Sequence, residues 1–244
     1  MQRYFARIIN DEIILNDDDL HHLLNVMRAK INDKFEAVIS NKSYICNIDS
    51  LNPFKISIID SFDRNNELKT ELNLILCLPK GDKIDLIIQK ATELGANKIL
   101  FVHSKRSINK MDNDDLNRKI VRYNKIIKEA SEQCRRNRLM NIEGIYNLKD
   151  LNKILPQDNL SLLAYEGISG ETGQIGKYLK NNTKPIYIII GPEGGFEIDE
   201  VSYLESIGFK TVSLGKRILR LETAVFYSLS VIGYILENYE KEND

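Results

Sequence analysis

Long apolar runs are missing from this 244-residue chain. Its apolar runs are short, and one of them, Ile186–Ile190, is bounded by Pro185 and Gly191. That is far short of the roughly 20 residues a membrane span needs. The opening Met1-Gln2-Arg3-Tyr4-Phe5-Ala6-Arg7 holds no apolar segment of the kind that marks a secretory signal. Cysteine is scarce: Cys46, Cys77 and Cys134 are odd in number, widely spaced and include no CxxC pair. This argues against a disulfide framework or a zinc site, so the expected setting is the reducing cytoplasm, without metal. No GxxxxGK[ST] phosphate loop and no GxGxxG fingerprint occurs. Without a P-loop lysine and a magnesium carboxylate pair, a nucleotide-phosphate enzyme is disfavoured.

What is present is an ordinary globular composition, 43% apolar and 28% charged, enough for one large domain or two smaller ones. The net charge of −1 is unevenly spread. Lys80 to Arg138 holds 15 Lys/Arg against 8 Asp/Glu, a basic block inside a neutral chain. Such a block is either a phosphate-binding face or a solvated helical surface with internal charge pairs.

Residues 1 to about 62 read as short strands over Tyr4–Ile9, Glu12–Leu15, Lys34–Ile39, Tyr44–Ile48 and Lys55–Phe62. One helix interrupts them, capped by Asn16 or Asp17, with Leu20, Leu23, Leu24 and Met27 as its apolar face. This pattern predicts a small β-barrel. The polar stretch Asp63–Thr70 is the best linker. Beyond it strands alternate with helices: strands over Leu72–Leu78, Lys98–Val102, Leu160–Tyr165, Ile186–Ile190 and Thr211–Leu214. The helices are Lys83–Leu94, a long one from Asp112/Asn113 to about Asn137, Gly173–Leu179, Asp199–Ile207 and about Glu222 to Glu240. Alternation of this kind predicts a parallel sheet covered on both faces. The last helix is apolar around much of its circumference, which predicts a homodimer using the surface from Phe226 to Leu236.

Two glycine-bearing segments follow strand ends: Gly191-Pro192-Glu193-Gly194-Gly195-Phe196, and Leu214-Gly215-Lys216-Arg217-Ile218-Leu219-Arg220-Leu221-Glu222-Thr223-Ala224. Either alone is compatible with a strand-to-helix turn. Together they read as one small-molecule pocket at the carboxyl ends of parallel strands, where glycine lets the main chain approach a ligand. His21, His22 and His103 lack triad partners, and Cys134 is disfavoured as a nucleophile.

These two segments resemble the RsmE family, ribosomal RNA uridine-N3 methyltransferases of the SPOUT (trefoil-knot) superfamily. The resemblance extends to Lys80-Gly81-Asp82-Lys83 through Gln89-Lys90-Ala91-Thr92-Glu93-Leu94-Gly95, Ser104-Lys105-Arg106-Ser107, Glu129 through Arg138, Arg3-Tyr4-Phe5, and His21-His22 through Arg28. Leu139-Met140 stands where Val-Pro is common, and Arg135 where a small residue is usual. Asn32 and Asn41-Lys42 replace customary glycines.

The resemblance implies a PUA-like barrel over residues 1–68 and an α/β parallel-sheet, knotted methyltransferase domain over 69–244. It implies S-adenosyl-L-methionine held by Leu163, Tyr165, Gly191, Pro192, Glu193, Gly194, Gly195, Leu214, Gly215, Ile218, Leu219, Thr223 and Ala224. The partner it implies is 16S ribosomal RNA or the small subunit, contacted by Lys80, Gln89, Lys90, Lys105, Arg106, Gln133, Arg136 and Arg138. Lys90 and Glu93, three apart on a helix, fit a plain surface pair equally well. Methylating uridine N3 requires alignment of base and sulfonium, loss of the N3 proton and stabilisation of charge on the uracil oxygens. Arg136 or Arg220 is the candidate for the charge. Glu222, Glu193 or Glu132 is the candidate for the proton or for orienting the base. The alternative is an RNA-binding protein of the same fold without activity, which the intact loops disfavour.

Overall fold

The computed structural model describes residues 1–62, 64–81, 83–167 and 174–238. Gly173, an expected helix start, and Tyr239 and Glu240, at the expected end of the last helix, lie outside the described residues. So do Asp63 of the linker and Asp82 of the Lys80–Lys83 motif. Contacts divide the chain into two units: residues 1–67 with 131–138, and 68–130 with 139 onward.

The first unit contains β1 (Arg3–Phe5), β2 (Arg7–Ile9), β3 (Glu12–Ile14), α1 (Asp17–His21), β4 (Lys34–Ile39), β5 (Lys42–Leu51) and β6 (Phe54–Phe62). The sheet order is β1-β4-β5-β6, and β2 and β3 form a separate hairpin. The expected barrel is built from this sheet and hairpin around Tyr4, Phe35, Ala37, Cys46 and Ile48. Asn16 caps α1, its side chain accepting from the Asp19 N–H at 2.8 Å. The expected apolar face is only partly used, because Leu23 is buried while Met27 is exposed. Two-residue turns join β2 to β3 through Asn10-Asp11 and β4 to β5 through Ser40-Asn41, all with positive φ. Asn32 and Asn41 thus adopt the left-handed backbone themselves, a region asparagine tolerates better than most residues.

The second unit contains β7 (Leu72–Cys77), α2 (Lys83–Glu93), β8 (Lys98–His103), α3 (Asn113–Gln133), β9 (Asn141–Asn147), α4 (Leu151–Ile154), β10 (Leu160–Ala164), α5 (Gly176–Leu179), β11 (Ile186–Ile190), α6 (Ile198–Ser206), β12 (Lys210–Val212) and α7 (Leu221–Asn238). The final turn of α3 falls in the residues grouped with the first unit. Six strands pair in parallel in the order β12-β10-β11-β7-β8-β9. The two-residue period of each strand sorts its apolar residues to opposite faces. Leu74, Leu76, Ile99, Phe101, Ile186 and Ile188 pack with α2, α3 and α7. Ile75, Cys77, Leu100, Val102, Tyr187 and Ile189 pack with α6. Being buried on both faces is why β11, and β7 apart from its buried Asn73, read as apolar runs.

Several local features depart from the sequence reading: the expected strand Tyr4–Ile9 breaks at Ala6 into β1 and β2, which join different sheets, and α4 goes unanticipated. Strand β9 goes unanticipated because Gly144, at φ +140°, interrupts its alternation where the pairing with β8 shifts register. Helix α3 ends at Gln133 rather than near Asn137: Arg135 turns left-handed at φ +63°, and the Arg136 N–H returns to the Ser131 carbonyl at 2.9 Å.

Candidate active site

Strands β10, β11 and β12 lie side by side, and the loops leaving their carboxyl ends enclose a cavity of about 490 Å³. That volume suits a small-molecule ligand. Tyr165 and Glu166 follow β10, Gly191 to Phe196 follow β11, and Ser213 to Leu221 follow β12 and run into α7. The glycines have identifiable work. Gly195 sits at φ +70° and Gly215 at φ +108°, backbone conformations that L side chains rarely adopt. A Cβ on Gly191 would come within 2.9 Å of the Phe196 ring, which is buried beneath the loop.

Ten of the expected cofactor residues line this cavity: Tyr165, Gly191, Pro192, Glu193, Gly195, Leu214, Gly215, Ile218, Leu219 and Ala224. Three do not. Leu163 points into the core beside Ile75 and Ile189. Gly194 turns outward, its carbonyl accepting from Arg106 Nη1 at 2.6 Å. Thr223 faces a separate apolar groove on α7 with Phe226, Tyr227, Ser230, Val231 and Tyr234. Lys83, Glu166, Lys216 and Arg217 line the cavity without having been singled out from sequence. Their signal was available: charged residues placed beside glycine-bearing strand ends.

Lys83, at the start of α2, bridges Glu193, which lines the cavity, and Glu222, an expected catalytic residue that is not among the lining residues. Its Nζ lies 3.0 Å from Glu222 Oε2 and 3.4 Å from Glu193 Oε1, and the Lys80 N–H donates to the same Glu193 oxygen at 3.1 Å. The Glu222 hydrogen bond, aided by Glu193, holds the Lys83 ammonium above its ordinary pKa. Burial alone would raise Glu193, but hydrogen bonds from its own and the Lys80 N–H, with Lys83, outweigh it and leave the carboxyl lowered. Glu222 is lowered by its own N–H at the helix start and by Lys83. Both carboxylates are therefore anions with little appetite for a proton. Arg220, Lys216 and Arg217 line the cavity, are exposed, and have no ion-pair partner among the described residues.

The expected RNA-contact residues are spent differently. Lys105 pairs with Asp199, Arg106 with Glu197 at 2.8 Å, and Lys90 with Glu93 at 2.8 Å, the plain surface pair. Lys80, Gln89, Gln133 and Arg138 are exposed. Arg136 is not where the sequence reading puts it. It is 3% exposed and clamps Glu67, with Nη2 2.6 Å from Oε2, so it offers no free fork to a phosphate or a uracil oxygen. It belongs to the first unit and does not line the cavity. Glu132 likewise lies in that unit, 3.4 Å from the Phe5 N–H. Ile232 faces the core at 0% exposure, so the free apolar face of α7 is the Tyr227–Tyr234 groove. His103 is engaged with the Met111 carbonyl, and His22 with the Tyr4 hydroxyl. Among the described residues no cluster of His, Cys, Asp and Glu could hold a metal, and no helix is long and apolar enough to cross a membrane.

Comparison with known proteins points the same way. Residues 66–233 match the RNA methyltransferase domain and residues 15–59 the RNA methyltransferase PUA domain. Ribosomal RNA small subunit methyltransferase E of Bacillus subtilis is 34% identical, with 97% of this chain and 98% of that protein aligned. The protein of the same name from Mesomycoplasma hyopneumoniae is 33% identical, with 94% and 98% aligned. A crystal structure of the Neisseria gonorrhoeae ribosomal RNA small subunit methyltransferase E, bound to S-adenosyl methionine, superposes with TM-score 0.82 at 25% identity over 96% of this chain and 98% of that one. Its second unit accordingly has the SPOUT-type α/β fold, and the chain belongs to the RNA methyltransferase family that includes ribosomal RNA small subunit methyltransferase E.

Proposed function

We propose that the chain is an S-adenosylmethionine-dependent methyltransferase that modifies N3 of a uridine in 16S ribosomal RNA and works as a cytoplasmic homodimer. The observation that carries this reading is the cavity itself. Two of the three adjacent strand ends, those of β11 and β12, bring the backbone groups of Gly191, Gly195 and Gly215 to the wall of a space of about 490 Å³, with Gly195 and Gly215 at positive φ. Those groups suit an adenine edge, and the apolar walls at Ile190, Leu214 and Leu219 suit its faces. Bound there, the cofactor supplies an electrophilic methyl group on a sulfonium.

The residues of the chain do the rest. Arg220, exposed at the cavity and without an ion-pair partner among the described residues, is the group to stabilise charge developing on the uracil oxygens. Glu222 and Glu193, both held low in pKa, orient rather than accept the proton. Lys216 and Arg217 beside them offer phosphate contacts that the paired Lys105 and Arg106 cannot make without giving up Asp199 and Glu197. The apolar groove over Phe226, Tyr227, Val231 and Tyr234 supports dimerisation through α7.

The test is nucleotide-resolved mass mapping of 16S ribosomal RNA in small subunits from cells lacking the gene, before and after incubation with the protein and labelled cofactor. One new 3-methyluridine is expected. Label elsewhere on the RNA refutes the N3 assignment, and no label at all favours the non-catalytic reading.

A further inference from the structure

The pocket is made of loops from different strands, and loops of this kind are held in place by few contacts. What ties them to each other is therefore a functional question. The loop after β11 and the start of α7, which ends the loop after β12, meet at one side chain. Lys83 Nζ donates to Glu193 Oε1 of the first and Glu222 Oε2 of the second. Glu193 is held in turn by the Lys80 N–H on the approach to α2. Helix α2 packs along α7, so the ammonium projects from a fixed base.

We infer that Lys83 is a positioning residue for the methyl-transfer site, the tie that holds the Gly191–Gly195 loop and the amino end of α7 at the separation the cofactor requires. The inference rests on the cofactor assignment above and deepens it. Three further observations support it. The Lys83–Glu222 pair is partly buried, with side-chain exposures of 34% and 21%, so it is screened less than a fully exposed pair, while Glu193 sits at an exposed loop position. An ammonium has three donors, and two are engaged by carboxylates from separate loops. The other pocket cations, Lys216, Arg217 and Arg220, make no such bridge among the described residues. One cation between two anions also offsets half of their charge and reduces the repulsion between the two carboxylates.

A residue that fixes loop separation acts on binding of the cofactor more than on the chemical step at saturation. The experiment measures S-adenosylmethionine affinity by calorimetry and methylation of small subunits at saturating cofactor, on wild type, Lys83→Met, Lys83→Arg, Glu193→Gln and Glu222→Gln. Lys83→Met should weaken cofactor binding at least tenfold while the saturated rate stays within about threefold, and Lys83→Arg should recover most of the affinity. Glu193→Gln should weaken binding several-fold, and combining it with Lys83→Met should add little, because both cut the same tie. Affinity within twofold of wild type in Lys83→Met overturns the inference. So does a large fall in the saturated rate with affinity intact, or failure of Lys83→Arg to recover binding in a folded protein. If Lys83→Met does not fold, wild-type affinity in Glu193→Gln overturns it instead. Wild-type protein that binds no cofactor is a different failure, and defeats the functional assignment on which the inference stands.

Discussion

Arg136 and Glu67 form a buried ion pair inside the first unit, with guanidinium Nη2 and Nε 2.6 and 3.1 Å from one carboxylate oxygen. The other oxygen accepts the N–H groups of Asn137 and Arg138 at 2.8 and 3.0 Å. Alongside, Arg3 pairs with Glu36 and donates to the Arg136 carbonyl at 2.8 Å. Burial, helped by Arg135, lowers the Arg3 pKa to about 10. The arginine cluster of the Glu129–Arg138 motif is thus partly a structural clamp. Removing one partner of such a pair strands the other charge, which typically costs about 3–5 kcal/mol. Arg136→Ala should lose stability of that order in chemical denaturation. In whatever fraction stays folded, the salt slope of RNA binding should match wild type, and a flattened slope would return Arg136 to the RNA face.

Arg220 and Arg217 should separate chemistry from binding. Arg220→Ala is expected to lower the single-turnover methylation rate about 10²–10³-fold, the range for losing one charge-stabilising donor, with RNA affinity changed much less. Arg217→Ala should weaken RNA binding and reduce the salt slope by about one. Wild-type turnover in Arg220→Ala would remove it from the reaction.

Gly195→Val tests the backbone cradle. A β-branched residue at φ +70° is strained by about 1–3 kcal/mol, and its Cβ would stand 3.3 Å from Glu166 Oε1. Calorimetry should find no cofactor binding, while heat denaturation still shows a folded protein. Undiminished binding would mean the main chain there does not approach the ligand.

The face of α7 should distinguish association from folding. Tyr234 is 65% exposed and borders the apolar groove, so Tyr234→Glu should yield a folded monomer by light scattering at micromolar concentration. Ile232→Glu places a charge where exposure is 0% and should unfold the chain instead. A wild-type monomer at that concentration would refute the dimer.

Acid should erase what Lys83 contributes to stability. Glu193 and Glu222 have folded pKa values below the ordinary 4.5. Their contribution is therefore complete above that value and disappears as pH falls through the lower folded ones. The melting-temperature gap between wild type and Glu193→Gln/Glu222→Gln should be widest near neutrality and close as pH drops toward 3. A gap constant across that range would mean the pairs do not stabilise the fold.

Much of the architecture is legible in the sequence because it is local. Ile186–Ile190 is apolar throughout, and Leu72–Cys77 at every position but Asn73, since both faces of a parallel sheet are covered, and that pattern needs no partner to be recognised. The two glycine-bearing loops announce a pocket for the same reason: their special backbone is written in single residues. Strand β9 is illegible because its alternation is broken by Gly144 and it pairs with only one neighbour. The knot of the family fold has no local signature at all, since threading is a property of the whole path. Charged residues are the hardest to read. Sequence gives Arg136, Lys83 and Arg220 the same positive charge. Only the folded chain brings Glu67 to Arg136 across 69 residues, and Glu193 and Glu222 to Lys83 across 110 and 139. What a charge does depends on which opposite charge the fold sets beside it, and that pairing is decided in three dimensions.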